Sequence, residues 1–117
     1  MVAIIGGAKV STKIGLINKL IKIADYLIIG GGLANTFVSA QGHEVGTSFR
    51  EYEAIQRARR LLALAKNHRA FIVLPVDAVI AASKNDKEHE VVKIENIPSD
   101  KSIFDIGPET KALIGGI

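Results

Sequence analysis

Two short apolar runs that end in glycines constrain the fold of this chain more than any other feature. Val2–Ile5 is followed by Gly6-Gly7, and Tyr26–Ile29 is followed by Gly30-Gly31-Gly32. A short continuous apolar run closed by glycine is typical of a buried strand that enters a tight turn. Strands buried on both faces occur in parallel sheets that are covered by helices. The pattern therefore predicts an α/β protein.

The rest of the chain continues this alternation of strands and helices. Further strands are predicted at Ala70–Leu74, Val76–Ala82, Val91–Ile94 (an edge strand) and Ile103–Ile106, with a charged turn at Ser83–Glu90. Helices are predicted from an N-cap at Ser11 through Ile14, Ile17, Ile21 and Ala24, over Leu33–Ala40, over Glu51–Asn67 and from Gly107-Pro108-Glu109 onward. In the long helix the predicted apolar stripe is Tyr52, Ile55, Ala58, Leu62 and Ala65. The order predicts a three-layer, Rossmann-like, mostly parallel sheet flanked by helices. Because the last helix has hardly begun when the sequence ends, we expect a truncated domain.

Composition excludes several classes of protein. Of the 117 residues, 48% are hydrophobic and 23% are charged, so the chain has enough apolar material for a core. It has no cysteine, which excludes disulfides, zinc–thiolate sites and thiol catalysis. The apolar runs are much shorter than the roughly 20 residues that cross a bilayer. We therefore expect a cytoplasmic protein with no membrane partner.

The net charge of +3 favours anionic ligands in general. Basic residues cluster on and after the long helix: Arg57, Arg59, Arg60, Lys66 and Arg69. No aromatic residues are interleaved with them, so we interpret them as a solvated outer face and expect no nucleic-acid partner. A basic nucleic-acid-binding domain is the alternative, and salt-dependent binding to DNA would support it. His43, His68 and His89 lack metal-like spacing, so no metal site is predicted.

The glycine turns are the candidate binding site. In an open α/β sheet, ligands bind beyond the carboxyl ends of the strands, where helix N-termini present free N–H groups. Lys9 and Lys13 add two positive charges and would face the same way if the helix began near Val10. Glycines in these turns are equally compatible with tight strand-to-helix packing alone. A P-loop is absent, and Asn35 stands where a dinucleotide fingerprint requires its third glycine.

Five blocks of sequence resemble the phosphoglycerate kinase family, in family order and over essentially the whole chain. They are Gly6-Gly7-Ala8-Lys9-Val10-Ser11-Thr12-Lys13-Ile14, Leu27-Ile28-Ile29-Gly30-Gly31-Gly32-Leu33-Ala34-Asn35-Thr36-Phe37, Gly46-Thr47-Ser48-Phe49, Leu74-Pro75-Val76-Asp77 and Asp105-Ile106-Gly107-Pro108-Glu109-Thr110. The resemblance implies part of the C-terminal, nucleotide-binding domain, at residues 1–117. In this family a phosphoryl group moves between 1,3-bisphosphoglycerate and ADP, giving ATP and 3-phosphoglycerate.

The resemblance also implies roles for individual residues. Gly7 and Ala8 would lie beside the nucleotide, and Lys9 and Lys13 would contact its phosphates, with Lys13 as the catalytic residue. The implied contacts of the adenine and the adenosine are Gly30, Gly31, Gly32, Gly46, Phe49, Ile103 and Phe104. The last two stand where many relatives carry Gly-Leu. Asp77 belongs to a block of the family pattern, but no chemical step is assigned to it, and a structural role in a turn fits it at least as well.

Other parts of the family pattern do not occur in this sequence. They are a Trp-Asn-Gly-Pro segment, a late Gly-Gly-Gly-Asp-Thr loop with a metal-associated Asp, and the glycerate-binding domain. We therefore expect ATP or ADP as ligand, with Mg²⁺ carried by the nucleotide, and no kinase turnover by this chain alone. An uncovered sheet edge predicts self-association. The alternative is a stand-alone nucleotide-binding or regulatory module.

Overall fold

The computed structural model describes residues 1–83 and 88–117, and part of the charged turn predicted at Ser83–Glu90 lies outside them. The strands are β1 (Val2–Ile5), β2 (Tyr26–Ile29), β3 (Phe71–Val73), β4 (Asp77–Ala81), β5 (Glu90–Lys93) and β6 (Ser102–Ile106). The helices are α1 (Ile14–Ile23), α2 (Gly31–Ala40), α3 (Ile55–Lys66) and α4 (Pro108–Gly115), with short 3-10 turns at Tyr52–Ala54 and Ile94–Asn96. The α/β fold predicted from the sequence is confirmed.

The first three strands form a parallel sheet in the order β1-β2-β3, with Ile5 opposite Ile29 and Ile28 opposite Val73. Helices connect these strands, as parallel pairing requires. One face of the sheet packs against α1 and α3, where Ile17, Ile21 and Ala58 are fully buried. Because the strands are parallel, the glycine turns after β1 and β2 lie at the same edge of the sheet.

The opposite face of this sheet is only partly covered, since Ile28 and Val73 are buried there while their neighbours are exposed. Ile4 is 76% exposed and Phe71 61% exposed, with Val2 and Tyr26 beside them. Among the described residues, α4 approaches this face across a cavity of about 480 Å³, which Leu113 and the two aromatic rings line. In the part of the chain that the structure describes, α1 and α3 thus cover one face of the sheet and α4 alone covers part of the other.

The remaining strands form a second sheet, which is antiparallel and has the order β5-β4-β6. The sequence predicted a mostly parallel sheet, and the antiparallel pairing was not foreseen. The segment between β4 and β5 is shorter than the dozen or so residues that a parallel crossover needs, so β5 returns beside β4 in the opposite direction. The prediction that β5 is an edge strand is confirmed.

Helix α2 lies between the two sheets. Phe37 belongs to the core of the parallel sheet, and its neighbour Val38 belongs to the core of the antiparallel sheet. The helix has buried residues on several sides, as expected of a helix with apolar residues all round. Among the described residues no helix combines the length and the apolarity needed to cross a bilayer.

Three details of the predicted helices are wrong. Ser11 is not the N-cap, because α1 begins at Ile14 and Ser11 bonds elsewhere. The stripe predicted for the long helix included Tyr52, which is 65% exposed and packs its ring under the Arg50 guanidinium, 4.5 Å from the ring centroid. Leu61 is buried instead, because it lies on the same face of α3 as Ala58 and Ala65.

Candidate functional site

The two glycine turns touch each other at the carboxyl edge of the parallel sheet. The Leu33 N–H donates to the Gly7 carbonyl at 3.0 Å. Gly31 has a φ of +68°, and a Cβ at this position would lie 3.0 Å from the same carbonyl oxygen. Only glycine combines this left-handed backbone with such a close approach. A Cβ on Gly32 would likewise contact Ala8, at 3.5 Å from its Cα.

Lys13 folds back over the first turn. Its Cε lies 3.2 Å and its Nζ 3.9 Å from the position that a Cβ on Gly7 would occupy, and Gly7 has a φ of +138°. The ammonium group therefore lies beside Gly7, the residue of the first turn that the second turn contacts. Lys9 lies on the exposed stretch between β1 and α1. The sequence predicted that Lys9 and Lys13 would face the same way if the helix began near Val10. The helix begins later, because residues 11–13 form a turn and α1 starts after them.

A groove of about 270 Å³ runs from this corner to β6. It is lined by Gly31, Gly32, Ala34, Asn35, Pro75, Ile103, Phe104, Asp105 and Ile106. Backbone and apolar side chains form most of its walls, which suits a flat heterocycle. Four of the residues singled out from the sequence, Gly31, Gly32, Ile103 and Phe104, thus lie around one groove.

Phe49 and Gly46 occupy different places. Phe49 is half exposed at the rim of the corner, where its Cδ2 is 3.3 Å from the position of a Cβ on Gly32, and its carbonyl accepts a hydrogen bond from the Asn35 amide at 3.2 Å. Gly46 does not line the groove. Its φ is +64°, and a Cβ there would lie 1.8 Å from the Lys101 carbonyl oxygen. The glycine at position 46 is therefore required by backbone packing against the turn at 98–101.

Asp77 has a structural role at the start of α4. Its Oδ1 accepts hydrogen bonds from the Thr110 N–H at 2.8 Å and from the Thr110 hydroxyl at 2.5 Å, and its Oδ2 accepts one from the Glu109 N–H at 3.0 Å. Burial alone would raise the pKa of Asp77. The hydrogen bonds lower the pKa by more than burial raises it, so the pKa of Asp77 is below its ordinary value. Asp77 thus satisfies the free N–H groups of a helix N-terminus.

Glu51 is a buried residue of the site region that the sequence did not reveal. It is 8% exposed, and its carboxylate accepts hydrogen bonds from the N–H of Ser11 at 3.0 Å and from the hydroxyl of Ser11 at 2.5 Å. Burial raises the pKa of Glu51, whereas the hydrogen bonds from Ser11 and the charge of Lys9 lower it, and the net pKa is below the ordinary value. Forty residues separate the partners, and no local sequence pattern links them.

A larger cavity, of about 780 Å³, lies away from the glycine turns, at the C-terminal ends of α2 and α3. Arg59, Lys66 and Arg69 line it, and the Arg59 Nε donates to the Ala40 carbonyl at 3.0 Å. Cations at helix C-termini compensate the helix dipole, which accounts for these side chains. Arg57 and Arg60 line a separate hollow beside α1, so the basic residues do not form one continuous face. We favour the smaller groove as the site because two of its lining residues, Gly31 and Gly32, pack against the turn over which Lys13 folds.

The described residues contain no group of three or more His, Asp or Glu side chains placed to hold a metal ion. Lys13 and the exposed backbone of Gly6, Gly7 and Ala8 suit a phosphate chain, because ammonium and N–H groups both donate to phosphate oxygens.

The chain is similar to known proteins over its whole length. A family model described as phosphoglycerate kinase matches residues 1–117. The phosphoglycerate kinase of Methylorubrum extorquens (strain PA1) is 48% identical over 117 residues, which cover 99% of this chain and 29% of that protein. The phosphoglycerate kinase of Staphylococcus haemolyticus is 51% identical over 114 residues, or 97% of this chain and 28% of that protein.

Solved structures give the same result. The structure of phosphoglycerate kinase from Coxiella burnetii superimposes with a TM-score of 0.94 at 41% identity, covering 98% of this chain and 30% of that one. The phosphoglycerate kinase of Pyrococcus horikoshii, at 23% identity and a TM-score of 0.72, shares the fold. The chain spans less than a third of the length of these proteins. Because the family model matches every residue from 1 to 117, this chain belongs to the phosphoglycerate kinase family.

Proposed function

We propose that residues 1–117 form the nucleotide-binding part, within the C-terminal domain, of a glycolytic phosphoglycerate kinase. Such an enzyme transfers a phosphoryl group between 1,3-bisphosphoglycerate and ADP, giving ATP and 3-phosphoglycerate. The observation that carries the proposal is the position of the Lys13 ammonium group over Gly7, where the two glycine turns meet. A polyanion bound there would find a cation and exposed backbone at one point.

The adenine nucleotide is proposed to lie along the 270 Å³ groove. Its phosphates would be at Gly7, Ala8, Lys9 and Lys13, and its base between the Gly30–Gly32 turn and the pair Ile103 and Phe104. Phe49 would close the rim near the adenosine. Gly46, which we assigned to the adenosine from the resemblance, would act through the shape of its loop, because its backbone packs on the turn at 98–101.

Phosphoryl transfer requires mainly positioning and stabilisation of charge on the transferring group. Lys13 would supply the positive charge, from its place over Gly7 beside the contact between Gly7 and Gly31. Mg²⁺ bound to the nucleotide neutralises part of the phosphate charge. No residue of this chain is assigned to the glycerate substrate, so we propose that the chain alone does not turn over. Robust ATP formation by the pure chain in a coupled assay would contradict this.

The proposed setting is the cytoplasm, with an adenine nucleotide as partner and with 1,3-bisphosphoglycerate or 3-phosphoglycerate bound only by another domain. Nucleic acid and membrane are not proposed as partners. Self-association is proposed through the partly covered face of the parallel sheet, because an exposed apolar patch that includes Ile4 and Phe71 favours burial against another surface.

A titration of the ¹⁵N-labelled chain with ADP tests the proposed site. Amide signals of Gly7–Lys13 and of Gly30–Gly32 should shift together and saturate at one affinity. Lys13→Met should weaken ADP binding by about tenfold, which corresponds to about 1.4 kcal/mol. Lys19→Met is the matched control, because Lys19 is an exposed lysine on α1, and it should leave the affinity unchanged. The absence of any shift at millimolar ADP would refute the proposed site.

A further inference from the structure

Glu51 links the two sides of the candidate site, although it lines neither the groove nor the glycine corner. Both of its carboxylate oxygens are bonded to Ser11, one to the backbone N–H at 3.0 Å and the other to the hydroxyl at 2.5 Å. Ser11 lies midway between Lys9 and Lys13. Within residues 1–83 and 88–117, no lysine or arginine forms an ion pair with Glu51, so Ser11 is its principal partner.

The backbone of the same residue is fixed to α2. The Glu51 N–H donates to the hydroxyl of Thr36 at 2.9 Å, and Thr36 is completely buried. Two residues earlier, the Phe49 carbonyl accepts the hydrogen bond from Asn35, the preceding residue of α2. The segment 49–51 is therefore fastened to the helix that starts at the second glycine turn, and the Glu51 side chain extends from there to the first.

Apart from the bonds to Glu51, the hydrogen bonds of the turn that carries the lysines join near neighbours in the chain. Within it, the Lys13 N–H donates to the Val10 carbonyl at 2.9 Å and the Thr12 hydroxyl to the Lys9 carbonyl at 3.1 Å. These bonds shape the turn but do not fix it relative to the sheet. The end of the turn continues into α1, where the Lys13 carbonyl accepts from the Ile17 N–H at 2.9 Å, and the buried Val10 side chain and the Ser11–Glu51 bonds attach it to the rest of the molecule. The hydrogen bonds to Glu51 are directional, so they set the orientation of the turn as well as its position.

We propose that Glu51 is a positioning residue for the phosphate end of the site. It holds the turn at residues 9–13 against the segment 49–51, so that the Lys13 ammonium group stays over Gly7 and Phe49 stays at the rim. This inference rests on the proposed function, since it is the nucleotide phosphates that would benefit from an ordered turn. Glu51 acts through Ser11 and does not contact the ligand.

Glu51→Gln tests the proposal, with Glu53→Gln as matched control, because Glu53 is an exposed glutamate two residues further along the chain. Glutamine keeps the size of the side chain but replaces the ionised double acceptor with one acceptor and one donor. We expect the amides of Ser11 and Lys13 to exchange with solvent about tenfold faster, while amides of β1 and β2 keep their protection. The ADP affinity should fall about fivefold. The affinity for inorganic tripolyphosphate, which lacks the base, should fall by a similar factor.

Three outcomes decide against the proposal. If Glu51→Gln lowers protection equally throughout the parallel sheet, Glu51 contributes only to global stability. If the turn loosens but ADP and tripolyphosphate bind as before, the turn does not position the lysines. If Glu53→Gln has the same effect, the loss is one of net charge.

The proposed function and this inference fail in different ways. If the unmodified chain binds neither ADP nor tripolyphosphate, the proposed function fails on that observation. The role of Glu51 in ordering residues 9–13 can then still be tested. The test compares the rates at which the Ser11 and Lys13 amides exchange with solvent in Glu51→Gln and in the unmodified chain. Unchanged exchange would refute it.

Discussion

Asp77 and Glu51 are buried carboxylates with nearly the same hydrogen bonds, but they join different kinds of structure. Each accepts a backbone N–H and a hydroxyl from one residue, Thr110 for Asp77 and Ser11 for Glu51. Each has a pKa below its ordinary value for the same reason, because hydrogen bonds outweigh the effect of burial. Their chemistry is therefore matched, and only the surroundings differ.

The surroundings assign them different functions. Asp77 joins a strand to a helix, and the same junction is reinforced by the Thr110 hydroxyl, which accepts from the N–H groups of Val76 and Asp77 at 3.1 Å. Loss of Asp77 would leave buried donors of regular elements unpaired. Glu51 joins a loop to an irregular turn that belongs to no sheet. The comparison teaches that the same bonds can join two regular elements in one place and a loop to an irregular turn in the other.

The largest expected effect is on stability and comes from Asp77→Asn. The new amide would direct a donor at the Glu109 N–H, which would lose its partner, and an unsatisfied buried donor costs about 1–3 kcal/mol. We expect the free energy of unfolding, measured by urea titration, to fall by about 2 kcal/mol. Asp105→Asn is the control, because Asp105 is exposed, and it should change stability by less than about 0.5 kcal/mol. Equal losses in the two variants would remove the distinction between Asp77 and an ordinary surface carboxylate.

The second expected effect is a loss of stability in acid. The ordinary pKa is 3.8 for Asp77 and 4.5 for Glu51, and both are lowered in the folded chain. A carboxyl whose pKa is lower in the folded state contributes stability that is complete above the unfolded pKa and is lost as the pH falls through the folded pKa. Stability should therefore be nearly constant from neutral pH to about pH 5 and should fall below about pH 4.

The variants make this acid effect specific. Asp77→Asn has no carboxyl to protonate at this position, whereas the unmodified chain loses the contribution of Asp77 in acid. The difference in the free energy of unfolding between the two proteins should therefore shrink by roughly half between about pH 5 and about pH 3. Urea titrations at the two pH values measure the difference directly. A difference that stays constant would show that Asp77 is not the group whose protonation matters.

The smallest expected effect is that of Ser11→Ala. It removes one of the two hydrogen bonds to Glu51 and should lower the free energy of unfolding by about 1 kcal/mol or less. Ser99→Ala, at an exposed loop position, should have no measurable effect. In ADP binding, the double variant with Glu51→Gln should be no weaker than Glu51→Gln alone, because both changes break the same link. Additive losses would indicate that Ser11 and Glu51 act separately.

Much of the fold could be predicted from the sequence. The apolar runs Val2–Ile5 and Tyr26–Ile29 are strands with the predicted bounds, because a buried strand between helices has a strong local pattern. The antiparallel pairing of β4 with β5 and β6 could not be predicted in this way. Their apolar patterns give no direction of pairing, which depends on connection length and on the position of α2 between the sheets.

The candidate site was partly predictable. The sequence indicated that Lys13 and both glycine turns belong together, and the structure brings them together, although the contact with a nucleotide stays a prediction. Ser11 was misassigned as an N-cap because its local pattern fits one, whereas a glutamate forty residues away competes successfully for its hydroxyl. Gly46 was grouped with the ligand, and its backbone contacts with the turn at 98–101 could not be inferred locally.

The sequence by itself determined which segments are strands, where glycine must stand at their ends, and which family the pattern resembles. These depend on side-chain periodicity and on backbone freedom, which are local properties. The tertiary structure alone decided that Lys13 lies over Gly7, that Glu51 holds the turn beside it, and that Asp77 holds α4. Such contacts join residues far apart in the chain, and they form only where packing brings buried polar groups within hydrogen-bonding distance of each other.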